Sequence, residues 1–501
     1  MSFEGHVAAA AVGRARPAGR SRASAWLLAA LMGLAAIVQQ SLVGLGADVS
    51  WLLTVGERVM DGQRLYVDVF EVNPPASVLI YLPAIAAARL FAVSAEFGTS
   101  VLVFTLAAIS IWGAGRLLAD AGILRRERRG PIAALATLAF VLLPGACFAQ
   151  REHVALLTVL PFMALVAARS RGRSAGLAAA LLAGFGAGIT MAIKPHFALA
   201  VAPMVLFAMT RRRSVSLADG VEIWAAAAVL LSYGLLVVGL YPAYLSDALP
   251  LLNAVYLPAR TGYGEMLQSP HMILFIVACA LAAFAGRGRL VRNLSILPLL
   301  AAIGFAAALI VQGKGYLNHA YPAVALALVA LGVAVIDREA NGARRAVGAA
   351  AFLLLAGLSL YVFTHVASYG DLARSVQRVA PPNPRIIVAG SNLSVGHPLT
   401  RWLDGTWAGR RGSLWATGTA VEVLADSADQ RQRALIAAYI EEDRRIFVED
   451  IAIGRPDVVL VPGQHGLQWI ASHRDVASAL KPYRRAGAAQ DVHILVRRPA
   501  T

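Results

Sequence analysis

Asp48 opens a polar stretch directly after the first long apolar run, and three more polar clusters recur between later apolar runs. These are Gln150-Arg151-Glu152-His153, Lys194-Pro195-His196, and the run from Gln312 to His319, QGKGYLNH. A carboxylate where a chain leaves a bilayer can take a proton from an incoming hydroxyl, and Arg, Lys and His can hold charge that grows on a departing group. Together they suit a group transfer whose leaving group is a lipid phosphate. Each cluster also has a plainer reading. Asp48 can cap a helix that starts near Ser50, Arg151 and Glu152 can pair locally, and Lys194 can snorkel to head groups. A metal site of His153, His196 and His319 is a further possibility, but their spacing matches no local metal motif.

The elements that must position these residues are membrane spans. With 501 residues, 58% hydrophobic composition and a mean hydropathy of +0.64, the chain repeatedly supplies the ~20 apolar residues that cross a bilayer. Apolar length places spans at roughly 25–45, 99–118, 131–148, 154–168, 175–193, 197–210, 223–241, 271–286, 294–311, 320–336 and 346–365, about eleven helices. With the basic segment 1–24 inside, the clusters Arg125 to Arg129, Arg169 to Arg173, Arg211 to Arg213, Arg287 to Arg292 and Arg338 to Arg345 all fall on the cytoplasmic side. That pattern accounts for the net charge of +16 without nucleic acid. Asp48 and the other polar clusters then share the opposite side. Ala76 to Phe91 is left out of the count because a full span there reverses the parity. Its Pro83 and Arg89 suit an interfacial or re-entrant helix.

After His365 the sequence turns polar. Residues 366–501 suit a small extracytoplasmic α/β domain, with strands at Arg385–Val388, Val458–Val461 and His493–Val496 and a long helix from about Gln430 to Glu449. Its role is either to cover the membrane site or to bind an acceptor glycan through Trp402, Trp407, Trp415 or Trp469. The two cysteines, Cys147 and Cys279, indicate no disulfide framework.

The stretch with Asp48, then Gly62-Gln63-Arg64-Leu65-Tyr66-Val67-Asp68, Phe70-Glu71-Val72-Asn73-Pro74-Pro75 and the apolar Ala76–Phe91, resembles the first external loop of GT-C fold glycosyltransferases. The similarity is to the bacterial branch with aminoarabinose transferases, protein O-mannosyltransferases and lipopolysaccharide-core galacturonosyltransferases, and covers roughly residues 25–365. It implies a catalytic membrane domain over 25–365 with its first external loop at 46–98, in a bacterial inner membrane. It also implies a polyprenyl-phosphate sugar as donor, a glycolipid, glycan or protein acceptor, no further cofactor, and Asp48 as the catalytic carboxylate. Two positions depart from the family: Val49 stands where many relatives have glutamate, and Asn73 where several have lysine before the double proline. Donor phosphate binding must then come from elsewhere. With inverting displacement and Asp48 as base, as the resemblance implies, the topology offers Arg151, His153, Lys194, Lys314 and His319 for the phosphate and Glu71, Glu152 and His196 for orienting. The competing classes are an O-antigen-ligase-like enzyme and a sugar or lipid flippase. The first expects paired arginines in a late external loop, where Pro242 to Pro270 offers Arg260 alone. The second expects charge at mid-span.

Overall fold

The computed structural model describes residues 20–212, 220–286, 294–336, 342–366, 368–427 and 429–499. Arg14 and Arg16 of the basic N-terminus and several arginines of the clusters between spans (Arg213, Arg287, Arg289, Arg292 and Arg338) lie outside them.

Most of the chain is helical. The apolar runs form α1 (Arg20–Val43), α5 (Ala95–Asp120), α6 (Arg129–Thr137), α7 (Arg151–Arg169), α8 (Leu177–Ile193), α9 (Ala198–Arg212) and α10 (Val221–Leu240). They continue as α11 (Pro270–Gly286), α12 (Ile296–Gln312), α13 (Leu317–Ile336) and α14 (Gly342–Thr364). Among the described residues six helices are long and apolar enough to cross a membrane, and α8, α9, α11 and α12 are apolar but shorter, so helix length alone does not fix the count at eleven. The expected span 131–148 is not one regular helix. α6 passes into a π-helical turn at Leu138–Leu142 and then a 3-10 turn at Gly145–Cys147.

α7 and α13 form the interior of the bundle, with most of their apolar surface covered, while α1 and α10 keep most of theirs on the outside. With no hydrophobic drive between helices in lipid, close backbone approach does the packing. On α8 a Cβ at Gly186 would land on the Thr158 carbonyl of α7, and one at Gly184 on the backbone of Glu222 at the start of α10. Arg169 at the end of α7 grips Glu222 with two bonds, 2.9 and 3.1 Å.

The segment between α1 and α5 is a folded layer. α2 (Ala47–Met60) follows α1 directly, and its apolar face buries Val49, Leu52, Leu53 and Val55. The Ala76–Phe91 stretch breaks into α3 (Ala76–Leu79) and α4 (Leu82–Leu90), both packed against α2. Neither is long enough to cross a bilayer.

The C-terminal region is an α/β domain with a five-stranded sheet. Strands β1 (Arg385–Val388), β2 (Thr406–Trp407), β3 (Val458–Pro462), β4 (Tyr483–Ala489) and β5 (Val492–Arg497) lie in the order β2-β1-β3-β5-β4. β1 pairs parallel with β2 and β3, and β5 pairs antiparallel with β3 and β4. The long helix, α16 (Gln430–Gly454), follows α15 (Trp415–Asp426). This domain is strapped to the first loop. Phe70 N–H donates to the Arg410 carbonyl at 2.8 Å, and Arg58 Nη1 donates to the Gly409 carbonyl at 2.6 Å. Arg401 bonds Glu57 of α2 at 2.7 and 3.0 Å and also Glu96 of α5. Burial pulls the Arg401 pKa down, but the two carboxylates outweigh it and raise it. Arg401→Ala strips both acids of their partner, and a loss of about 1–3 kcal/mol in thermal or denaturant unfolding of the purified protein is expected.

Candidate active site

Where the segment between α1 and α5, one end of the bundle and the C-terminal domain meet they enclose a cavity of about 1130 Å³. Of the residues singled out in the sequence, Asp48, Glu71, Arg151, Lys314 and His319 line it.

Asp48 lies in the first turn of α2, whose N-cap is Gly46, and caps nothing. Its carboxylate instead meets Arg151 Nη2 at 3.3 Å, joining the first loop to the start of α7. Arg151 is 5% exposed, yet its Nε and Nη1 have no partner among the described residues. A buried guanidinium held against one carboxylate sets a fixed positive charge at the cavity wall. Glu71 is held in place by Trp51 Nε1 at 2.5 Å, by the Asn73 backbone N–H at 2.9 Å and by the Asn73 side chain. Where related loops are expected to carry a lysine, this chain therefore uses Asn73 to brace a carboxylate.

Lys314 reaches the cavity because glycines on both sides of it adopt left-handed backbone, φ +68° at Gly313 and +63° at Gly315. Gly313 also closes α12 by donating to the Leu309 carbonyl. The ammonium bonds the carbonyls of Tyr256 and Ala259 and lies 4.0 Å from the Tyr256 ring centre. Burial, aided by Arg260 and partly offset by Glu422, brings its pKa down to about 8.

Four of the expected site residues stand behind the lining. Lys194 and Glu152 form a buried pair at 2.5 Å, and Asn318 and His319 complete it at 3.2 and 3.4 Å. Two side chains expected to act separately on substrate thus neutralise each other, because the first turn of α7 abuts the end of α8. Their effect on the cavity is indirect: Glu152 holds His319 and Asn318, which do line it. His196 stays at the α8–α9 turn, its Nε2 unpartnered among the described residues, and does not reach the lining.

His153 departs furthest from the expectation of a phosphate contact. Its Nδ1 accepts the Ala149 N–H at 3.1 Å, so the proton sits on Nε2 and is donated to the Phe140 carbonyl at 2.9 Å. It thereby ties the π-helical turn to Ala149, a non-glycine residue at φ +61° that launches Gln150 and Arg151 into the cavity. His153→Ala leaves both buried groups unpaired. The expected cost is about 1–3 kcal/mol for each, read as a lower unfolding temperature. Among the described residues no cluster of three His, Cys, Asp or Glu side chains is placed to hold a metal ion.

What the sequence reading left undecided is the contribution of the C-terminal domain. Trp402 and Trp415 line the cavity, whereas Trp407 is buried against His397 and Trp469 packs on Phe447. Two residues outside the earlier choice, Glu265 and Glu422, also line it. Nothing in their local sequence marks them, since each sits on an otherwise ordinary short helix.

No protein-family model matches the sequence, and no characterised protein matches it. In three dimensions the chain is similar to ArnT from Cupriavidus metallidurans, solved bound to undecaprenyl phosphate. The TM-score is 0.59 at 12% identity, over 97% of this chain and 99% of that one. The chain has the GT-C fold. A similarity to the arabinofuranosyltransferase AftD from Mycobacteria has a TM-score of 0.43 at 14% identity, over 96% of this chain and 40% of that one. The GT-C match extends across the C-terminal domain as well as the helices, beyond the residues 25–365 that the loop motifs cover.

Proposed function

We propose that this protein is a membrane glycosyltransferase that moves a sugar from a polyprenyl phosphate to a hydroxyl of an acceptor on the extracytoplasmic side. The observation that carries this reading is the buried Arg151 paired with Asp48 at the cavity wall, a fixed cation beside a carboxylate. A phosphate in the cavity, drawn to the charge of Arg151 and Lys314, lies beside the base. Undecaprenyl phosphate in the ArnT structure is the same class of lipid.

In the proposed step the acceptor oxygen attacks the anomeric carbon, and Asp48 receives the hydroxyl proton. The bond from that carbon to the phosphate oxygen breaks as the new one forms, with inversion, and polyprenyl phosphate leaves with the electron pair. Arg151 and Lys314 stabilise the charge that grows on it. His319, held by Glu152 and Lys194, completes the wall. The ionisable lining residues on the bundle helices, Arg151 and His319, lie in the first turns of α7 and α13, as a surface reaction requires and a mid-membrane transport path does not. Arg260, the one arginine of the late loop, spends two donors on the Val311 and Ile310 carbonyls at 3.0 and 2.7 Å.

The test is to give purified protein a panel of radiolabelled polyprenyl-phosphate sugars with envelope glycans as acceptor. Release of polyprenyl phosphate matched by sugar incorporation is the expected result, and incorporation with none of the donors sinks the proposal. Lys314 adds a pH signature. Its lowered pKa of about 8 means that the ammonium is present below pH 8 and lost above it, so affinity for undecaprenyl phosphate should fall as pH rises from 7 to 9, by up to about tenfold per unit. Titration by native mass spectrometry checks this, and Lys314→Arg should flatten the profile.

A further inference from the structure

The cavity is divided by chemistry as well as by chain. Its cations, Arg151, Arg260 and Lys314, all come from the membrane part. Among the described residues, the C-terminal domain contributes hydroxyl, amide, aromatic and acidic side chains and no cation. That domain is rich in arginine, but Arg401, Arg410 and Arg411 are turned into ion pairs with Glu57 and Glu96, with Glu449 and Asp450, and with Asp443. Helix α15 shows how the division is built. One face, Ala416, Ala420 and Val423, packs with Ile436 onto Leu251 and Val255. The other, Trp415, Thr419 and Glu422, lines the cavity, at the i, i+4, i+7 spacing of a single helical stripe. Trp415 is half-buried and braced edge-on by Tyr256, ring centres 6.2 Å apart, whereas Glu422 is exposed to the cavity.

We infer that the Trp415–Thr419–Glu422 stripe is the acceptor subsite and takes an uncharged sugar unit. This rests on the transferase reading above. A flat aromatic face held rigid by a second ring suits the apolar face of a pyranose or furanose. One turn farther on the Thr419 hydroxyl can donate to and accept from the sugar's hydroxyls, and two turns on the Glu422 carboxylate accepts from them and repels a phosphorylated acceptor. The anionic donor head is held by the bundle cations, and Tyr256, which touches both the Lys314 ammonium and Trp415, sets the acceptor stripe next to them.

The experiment uses the full-length protein with its polyprenyl-phosphate sugar and two acceptor sets: neutral pentose and hexose oligosaccharides, and the same oligosaccharides carrying phosphate monoesters. Wild type is expected to prefer the neutral set. Trp415→Ala should raise the acceptor KM about tenfold with the donor KM within about twofold, and Trp415→Phe should restore it. Glu422→Gln should narrow the preference against phosphorylated acceptors. An unchanged acceptor KM in correctly folded Trp415→Ala, or a wild-type preference for the phosphorylated set, overturns the assignment and leaves the transferase reading standing. If wild type transfers the sugar neither to an acceptor nor to water, so that no polyprenyl phosphate forms, the transferase reading itself falls, and this inference with it.

Discussion

Asp48→Asn is expected to lower sugar transfer by about 10²–10⁴-fold while leaving donor binding within a few-fold. The substitution preserves shape and can still accept a bond from Arg151 Nη2, which lies 3.3 Å from the carboxylate, so α2 stays seated against α7. What it removes is the oxygen that takes up the acceptor proton. The measurement is initial rate with saturating polyprenyl-phosphate sugar, alongside undecaprenyl phosphate affinity in the same preparation. A rate near wild type in folded Asp48→Asn protein would remove Asp48 from the chemistry.

Arg151→Ala should fail earlier in the cycle. It deletes the cation that the proposal sets beside the phosphate and unpairs Asp48. Loss of that buried charge predicts a drop in undecaprenyl phosphate affinity of at least about 100-fold, with transfer undetectable. Arg151→Lys restores charge without the planar guanidinium and should recover only part of the affinity. Because the side chain is 5% exposed, folding must be checked independently. Glu152 keeps its Lys194 partner in both variants, so the layer behind the cavity is undisturbed. If undecaprenyl phosphate binds Arg151→Ala normally, the phosphate lies elsewhere, and Lys314 becomes the first place to look.

The sequence carried the helices and the three central strands because long apolar runs and short β-branched runs are local signals. Val458–Val461 and Arg385–Val388 are buried strands in a sheet, and they read as such. β2 has two residues and β4 reads YRRAGAA, so neither has a pattern to detect. The π-helical turn at Leu138–Leu142 was equally hidden, since apolar length is blind to the hydrogen-bond register inside a helix.

The site was legible by residue type and less so by role. Arg, Glu, Lys and His at span ends were conspicuous because burying them is costly. Which of them face substrate depends on how α7 meets α8, and only the fold shows that Lys194 is consumed by Glu152 and His153 by two backbone groups. The departure at Asn73 was visible, but its work on Glu71 was not. Glu265 and Glu422 lie far in sequence from any motif, and tertiary packing alone brings them to the cavity.

Two segments far apart in the sequence wall the same chamber: α2 is made before most of the bundle, and α15 only after it. Synthesis therefore sets an order on the site. Asp48 and Arg151 are in place long before residues 366–501 can fold over them, and until that domain docks on Glu57 and Phe70 the pair stands open to bulk water. A nascent or truncated chain then holds its charged groups at full dielectric, where they grip an anion weakly. On the proposed reading the donor is an energy-rich lipid-linked sugar, and a half-made protein is poorly equipped to squander it.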